Sequence, residues 1–424
     1  MATSRRSFLR HAVAGSDADG RAILLTRAAG AAQAPPDGTR TYGHLGRTAD
    51  YKDWAIVPRG LTIASVETFQ RGSLALVRVT ASDGRSGWGQ VAPYDADITV
   101  DVLHRLVAPR VLKRDISEID AINDDVIDAQ LKYPWSFLCR ALRRGHGALG
   151  PVRATLPTSP SPRCWAERCV PGGLRFEHAP RHQPHRRGRA PRPAARRGGL
   201  QGIQDPVRDP GGRNRDAAPG RSEAIIPTVR KAVGPDMVLF ADANSCYTPD
   251  KAIVLGRMME DAGYAAFEEP CPYWELEWTQ EVTRALTMDV QGGEQDNDMA
   301  QWRRMIAMRA VDIVQPDICY TGGLTRAWRV AKMAEAAGLV TKPHAANVSF
   351  VTVFTMHLLA ALPRAGEVEF SIEEDAGITR EARAMFDPVL EMKDGKAVMP
   401  DGPGWGVHVK PAWLSSAAHR RSPA

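Results

Sequence analysis

The chain has 424 residues, 43% hydrophobic and 25% charged, a composition that excludes collagen, a coiled coil and wholesale disorder and leaves room for two or three domains. It contains no apolar run of about 18 residues, so no membrane-spanning helix is expected, and its six cysteines are neither numerous nor spaced enough for a disulfide scaffold or zinc pairs. The formal net charge of +6 is uneven: residues 143–212 hold 14 Arg, no Lys and four acids, and the rest of the chain carries 41 basic against 45 acidic residues.

In chain order, Ser4-Arg5-Arg6-Ser7-Phe8-Leu9-Arg10 resembles a twin-arginine export signal, and Ala32-Gln33-Ala34 resembles a cleavage site. Asp17, Asp19, Arg21 and Arg27 interrupt the apolar stretch such a signal needs. Residues 1–50 are therefore read as an export signal or a disordered tail, with a periplasmic or cytoplasmic location. Strands are expected at 63–68 and 74–80, a turn at Ser82-Asp83-Gly84, and helix over 98–132 with Val102, Leu103, Leu106 and Val107 on its apolar side. These define a small α+β domain over 55–142.

Residues 143–212 hold 11 of the 31 prolines and keep no helical or strand period. Their arginines lack interleaved aromatics, with only Trp165 and Phe176 present, so no nucleic-acid partner is expected. From 213 to 400, short apolar runs at 237–240, 264–267, 289–291, 311–314, 339–341 and 368–370 alternate with helical stretches. The helices are expected at 249–262, capped by Thr248 with Pro249 in the first turn, and at 299–308 and 324–337. Repeated βα units of this size predict an α/β fold with a parallel (β/α) barrel. Residues 401–424 form a C-terminal tail expected to join the capping domain in part.

An acidic or imidazole residue stands at or just after each strand: Asp242, Glu268, Glu294, Asp317, His344 and Glu369, at intervals of 26, 26, 23, 27 and 25 residues. Strand C-termini of a barrel open on one face, so these side chains should converge. Each alone is an ordinary helix cap or loop residue; the even series is not. Carboxylates on three successive strands suit a hard divalent cation such as Mg²⁺. An Asp on one strand and a His on the next can form a hydrogen-bonded acid/base pair.

The runs Ala241-Asp242-Ala243-Asn244-Ser245, Phe267-Glu268-Glu269-Pro270, Gly292-Gly293-Glu294-Gln295, Gln315-Pro316-Asp317 and Lys342-Pro343-His344 resemble the enolase superfamily, in particular its mandelate racemase and muconate lactonizing group with the acid-sugar dehydratases. The resemblance covers about 60–140 and 213–410. It implies a modified TIM barrel capped by the N-terminal domain. It also implies Mg²⁺ on Asp242, Glu268 and Glu294, an Asp317–His344 dyad, and Glu369 bonded to a substrate carboxylate or its enediolate. Glu269 and Asn244 would support the ligands. The implied substrate is a sugar acid, dehydrated or epimerised, and the implied assembly is a homo-oligomer.

One expected feature is missing. The family carries a catalytic Lys in a Lys-x-Lys or Lys-x-Arg run on the second barrel strand, and Gln204 occupies that place. Codons for 143–151, read one nucleotide later, can encode Gly-Val-Asp-Thr-Ala-Leu-Trp-Asp-Leu, and those for 199–206 can encode Gly-Phe-Lys-Ala-Phe-Lys-Ile-Arg. Both are runs the resemblance leads one to expect there. Residues 143–212 are thus read as out of frame, or else as a true Arg/Pro-rich insert, with the early barrel units disrupted either way. A Gln amide is neither acid nor base near neutral pH, so activity is expected to be impaired.

Overall fold

The computed structural model describes residues 60–93, 95–129, 212–216, 218–345, 349–363, 365–370, 377–393 and 396–423. Arg5, Arg6, Gln204 and residues 143–211 lie outside the described residues, as do the expectations attached to them.

β1 (Ile63–Arg71) and β2 (Leu74–Ala81) form a hairpin, and β3 (Ser86–Gln90) continues it antiparallel. β1 runs three residues past its expected end because the ladder continues to the turn, with Arg71 opposite Leu74. β2 is apolar without a break over Leu74–Val77 because both its faces are covered there. Leu74 and Leu76 join a cluster with Phe350, Phe354 and Trp405. Ala75, Val77 and Val79, on the opposite face, join Val100, Leu103 and Ile122. The strand Ala418–Pro423 adds antiparallel to the other side of β1, so both ends of the described chain build one sheet. Buried His104 ties these pieces together, bonded at Nε2 to Thr68 Oγ1 (2.9 Å) and at Nδ1 to Ser422 Oγ (2.7 Å).

The helix expected over 98–132 is broken. It runs from Ala96 to Val111, with an internal wider turn at Leu103–Val107, and resumes at Ile119–Asp128. Between them the backbone is drawn to the edge of β1: Lys113 N donates to Ile63 O (2.9 Å) and Ile63 N to Arg114 O (3.0 Å). These sheet-like bonds replace helical ones, and Lys113 takes a φ of +66°.

β4 (Phe240–Asp242), β5 (Ala266–Glu268), β6 (Asp289–Gly292), β7 (Ile313–Val314) and β8 (Val340–Thr341) form a parallel sheet in that order. Helices Pro249–Asp261, Leu276–Ala285, Met299–Met308 and Leu324–Ala336 alternate with them. β4 starts three residues later than expected and β5 two. The preceding apolar residues pack elsewhere: Tyr264 is fully buried in the helix-to-strand turn, its hydroxyl donating to Ile226 O at 3.1 Å. Thr248 holds the cap position of its helix, yet its hydroxyl engages Asn214 instead of the helix N–H groups. The strand expected at 368–370 is not formed. The chain makes one parallel bridge, Ala365 with Thr341, and then runs unpaired while Glu369 turns its carboxylate to Ala345 N.

Phe267, Val290 and Val314 on the strands meet Leu255, Met259, Trp302 and Met305 on the helices. Helix Phe350–Ala360 is apolar almost all round and buried except at His357, as a helix enclosed on every side must be. It lies between the capping sheet and the barrel strands' neighbours, against Leu74, Leu76, Phe386 and Trp405. Among the described residues no helix is long and apolar enough to cross a membrane.

Gln90, at the end of β3, couples the two layers. Its Nε2 donates to Ser349 Oγ and its Oε1 accepts from Phe350 N, both at 3.0 Å, at the start of that buried helix. Gln90→Ala strips the Phe350 N–H of a partner in a buried place. It is expected to lower stability by about 1–3 kcal/mol in urea unfolding; an unchanged midpoint would contradict this joint.

Candidate active site

The register of the sheet sets the site. Asp242 on β4 lies directly opposite Glu268 on β5, and Glu268 opposite Gln291 on β6. Glu294 stands two residues beyond β6, while Asp317 and His344 each stand three beyond β7 and β8. The chain turns sharply after each of the first three strands. Asn244 and Ser245 have φ of +47° and +64°, Glu269 +42°, and Gly293 +108°. Such values are uncommon for residues with a Cβ and collect at functional sites. At Gly293 a Cβ would also come within 2.5 Å of the Trp302 ring.

Each carboxylate is held. Asn244 donates from N (2.8 Å) and Nδ2 (2.7 Å) to the two oxygens of Asp242. Gln291 Nε2 donates to Glu268 Oε2. Gln295 Nε2 bridges Glu269 Oε2 (2.7 Å) and Glu294 Oε1 (3.3 Å). Asp317 caps the turn Ile318–Thr321, accepting from Tyr320 N at 2.8 Å through Oδ1. Its Oδ2 accepts from His344 Nδ1 at 2.8 Å, and the opposite imidazole nitrogen, Nε2, lies 3.2 Å from Glu294 Oε2. The Tyr320 ring stacks on the imidazole, centroids 5.8 Å apart. Glu369 Oε2 accepts from Ala345 N at 2.7 Å, and its Oε1 faces Gln315 Nε2 at 3.5 Å.

These groups perturb one another. Burial, reinforced by the charges of Glu268 and Glu269, pushes Asp242 well above the usual carboxylate range. Burial and the Glu294 charge do the same to Glu269. Burial pushes Glu294 up to about 8, with His344 opposing and Glu268 and Asp242 reinforcing. For His344, burial works against the imidazolium, but Glu294, the Asp317 hydrogen bond and Glu369 outweigh it and hold the ring well above its ordinary value.

Among the described residues, no three His, Cys, Asp or Glu side chains are already gathered as a ligand set. Asp242, Glu268 and Glu294 are turned to Asn244, Gln291 and His344 instead. The donor chemistry nevertheless suits a hard divalent cation: the oxygens come from successive strands, they repel each other when ionised, and Glu269 Oε1 is buried with no hydrogen-bond partner. The amide partners Gln291, Gln295 and Gln315, and the ring of Tyr320, were not singled out by sequence reasoning. Their signal is the same strand-end register that exposed the acids, read for amides as well as for charges.

The family model for "Enolase C-terminal domain-like" proteins matches residues 197–413, and the chain belongs to that family. It is 32% identical over 189 residues to D-galactarolactone cycloisomerase of Agrobacterium fabrum, covering 44% of this chain and 50% of that one. It is 28% identical over 185 residues to arabinonate dehydratase of Saccharolobus solfataricus, covering 44% of this chain and 48% of that one. The chain thus spans about half the length of the curated relatives it matches. A solved structure from Roseobacter denitrificans, described as a racemase candidate, shares 42% identity and a TM-score of 0.72 over 86% of this chain and all of that one. The fold is therefore the capping domain and TIM-type barrel of the enolase superfamily, as the strand-end motifs implied.

The perturbed carboxyls carry a prediction. Folded Asp242, Glu269, Glu294 and His344 all hold protons more tightly than in the unfolded chain. The unfolded state therefore binds fewer protons across the range from the ordinary glutamate value of 4.5 to about 8, so this cluster's contribution to stability falls as pH rises. In chelator-treated protein, Asp242→Asn should shrink the loss of urea midpoint between about pH 5 and pH 8. An equal loss in both proteins would contradict the assignment.

Proposed function

We propose that this chain is built to remove the proton next to a carboxylate in a Mg²⁺-dependent reaction, with dehydration of a sugar acid as the leading activity. The observation that carries the reading is the Asp317–His344 pair, with Nδ1 fixed at 2.8 Å and Nε2 directed among strand-end carboxylates. Asp242, Glu268 and Glu294 would hold the ion. Bound there, Mg²⁺ supplies positive charge that stabilises the enediolate, the chemistry general to enolase-superfamily sites.

The chain's own residues do the rest. Asp317 holds Nδ1–H, which leaves Nε2 as the atom that takes or returns the substrate proton. Tyr320 fixes the ring plane from one side. Glu369, anchored by Ala345 N, would hydrogen-bond the substrate carboxylate or its enediolate, donating when it carries a proton. Asn244 and Gln295 orient Asp242, Glu269 and Glu294. Without a cation these acids would repel a carboxylate substrate as they repel one another; a divalent ion held by them would give that carboxylate a positive partner.

A second reading rests on Gln204. With Gln in the place of the second-strand Lys, dehydration lacks one proton-transfer group and racemisation lacks its opposite-face base. Losing such a group commonly costs about 10²–10⁴-fold. The protein would then bind metal and sugar acid with little turnover. Exchange of the α-proton needs only one base, so it tests His344 whatever stands at 204, and formation of product then separates the readings. In D₂O with Mg²⁺, His344 should exchange the α-proton of a bound sugar acid for deuterium, followed by NMR. His344→Asn should lower that exchange by roughly 10²–10⁴-fold. Exchange without dehydrated or epimerised product favours the impaired relative, and exchange undiminished by His344→Asn would overturn the proposed base.

A further inference from the structure

Lys342 directly follows β8 and is only 2% exposed. Its Nζ makes no hydrogen bond. It lies 4.4 Å from the centre of the Phe240 ring and 3.9 Å from Glu369 Oε1. Phe240 opens β4 two residues before Asp242, hence on the same face of the strand. The ammonium thus sits in the layer beneath the strand-end acids. The place is shaped for it: a Cβ on Gly366 would come within 2.7 Å of Lys342 Cβ, so glycine lets the chain pass there, its N–H donating to Thr341 O at 2.8 Å.

An ammonium buried without hydrogen bonds is unfavourable unless nearby anions offset its lost hydration. Glu369, 3.9 Å away, and Glu268 supply that field. The effect is visible at Glu268, where burial and the Glu369 charge push the carboxyl up and the Lys342 charge opposes them.

We propose that Lys342 is a built-in countercation of the barrel: it partners Glu369, offsets the repulsion among the strand-end acids while no metal is bound, and competes electrostatically with a divalent ion for the same carboxylates. The last part rests on the metal reading given above; the first two do not. Lys342 is a positioning residue, since it touches Glu369 and not the place of the reacting atoms.

The test is a double-mutant cycle by thermal unfolding of the full chain in chelator, with Lys342→Met, Glu369→Gln and both together, alongside calorimetric Mg²⁺ titration of the wild type and Lys342→Met. Lys342→Met should lower the Tm, and adding Glu369→Gln should restore part of the loss, because the charge left without its partner is removed. A purely space-filling lysine would give additive losses instead, and additive losses overturn the proposal. Should Lys342→Met be insoluble, recovery of folded protein in the double variant supports the countercation. Insolubility of the double variant alongside soluble Glu369→Gln overturns it. Mg²⁺ should bind Lys342→Met about tenfold more tightly than the wild type; an unchanged affinity overturns the competition. A wild type that takes up no Mg²⁺ would defeat the metal reading alone, with the cycle still deciding Lys342.

Discussion

The structure depends on the repulsion among carboxylates that five short parallel strands bring to one end of a sheet. In-register pairing places Asp242 against Glu268, and the turns that follow carry Glu269 and Glu294 into the same volume. Groups this close and this buried cannot all ionise freely, and the surroundings answer the conflict in several ways. Amides from Asn244, Gln291 and Gln295 donate to the oxygens. His344 stands between Glu294 and Asp317. Lys342 lies beneath. The left-handed residues at the strand ends are the backbone cost of aiming these side chains inward.

The same repulsion connects structure to chemistry. A site poised with excess negative potential has an evident use for a divalent cation, and a cation there has an evident use for a substrate carboxylate. The imidazole fixed by Asp317 on one side has its remaining nitrogen directed at that volume. The capping sheet, built by both ends of the described chain, is joined to the barrel through Gln90 and the enclosed helix Phe350–Ala360.

Much of this was legible in the sequence, because a βα unit has nearly constant length and a barrel orders its strand ends. The intervals between Asp242, Glu268, Glu294, Asp317, His344 and Glu369 are a direct print of that geometry, and helix Met299–Met308 falls where its pattern puts it. Strand limits were less legible. Tyr264 looks like a strand residue but packs in a turn, and Val368 and Phe370 look like a strand but only flank Glu369. Apolar runs record burial, whereas strands are defined by backbone pairing, and the two separate wherever a turn is itself enclosed. Asn244 was expected beside the ligands, but the glutamine partners and Lys342 were missed for a related reason. A neutral Gln or a lone Lys has no pattern of its own and gains meaning only from what the fold sets beside it.

The most direct test of the account is a crystal structure of the protein soaked with Mn²⁺, read by anomalous scattering. The account requires one strong peak coordinated by Asp242, Glu268 and Glu294, with their side chains released from Asn244, Gln291 and His344. A peak held by other residues, or these three carboxylates unmoved and without a peak at saturating Mn²⁺, would contradict it.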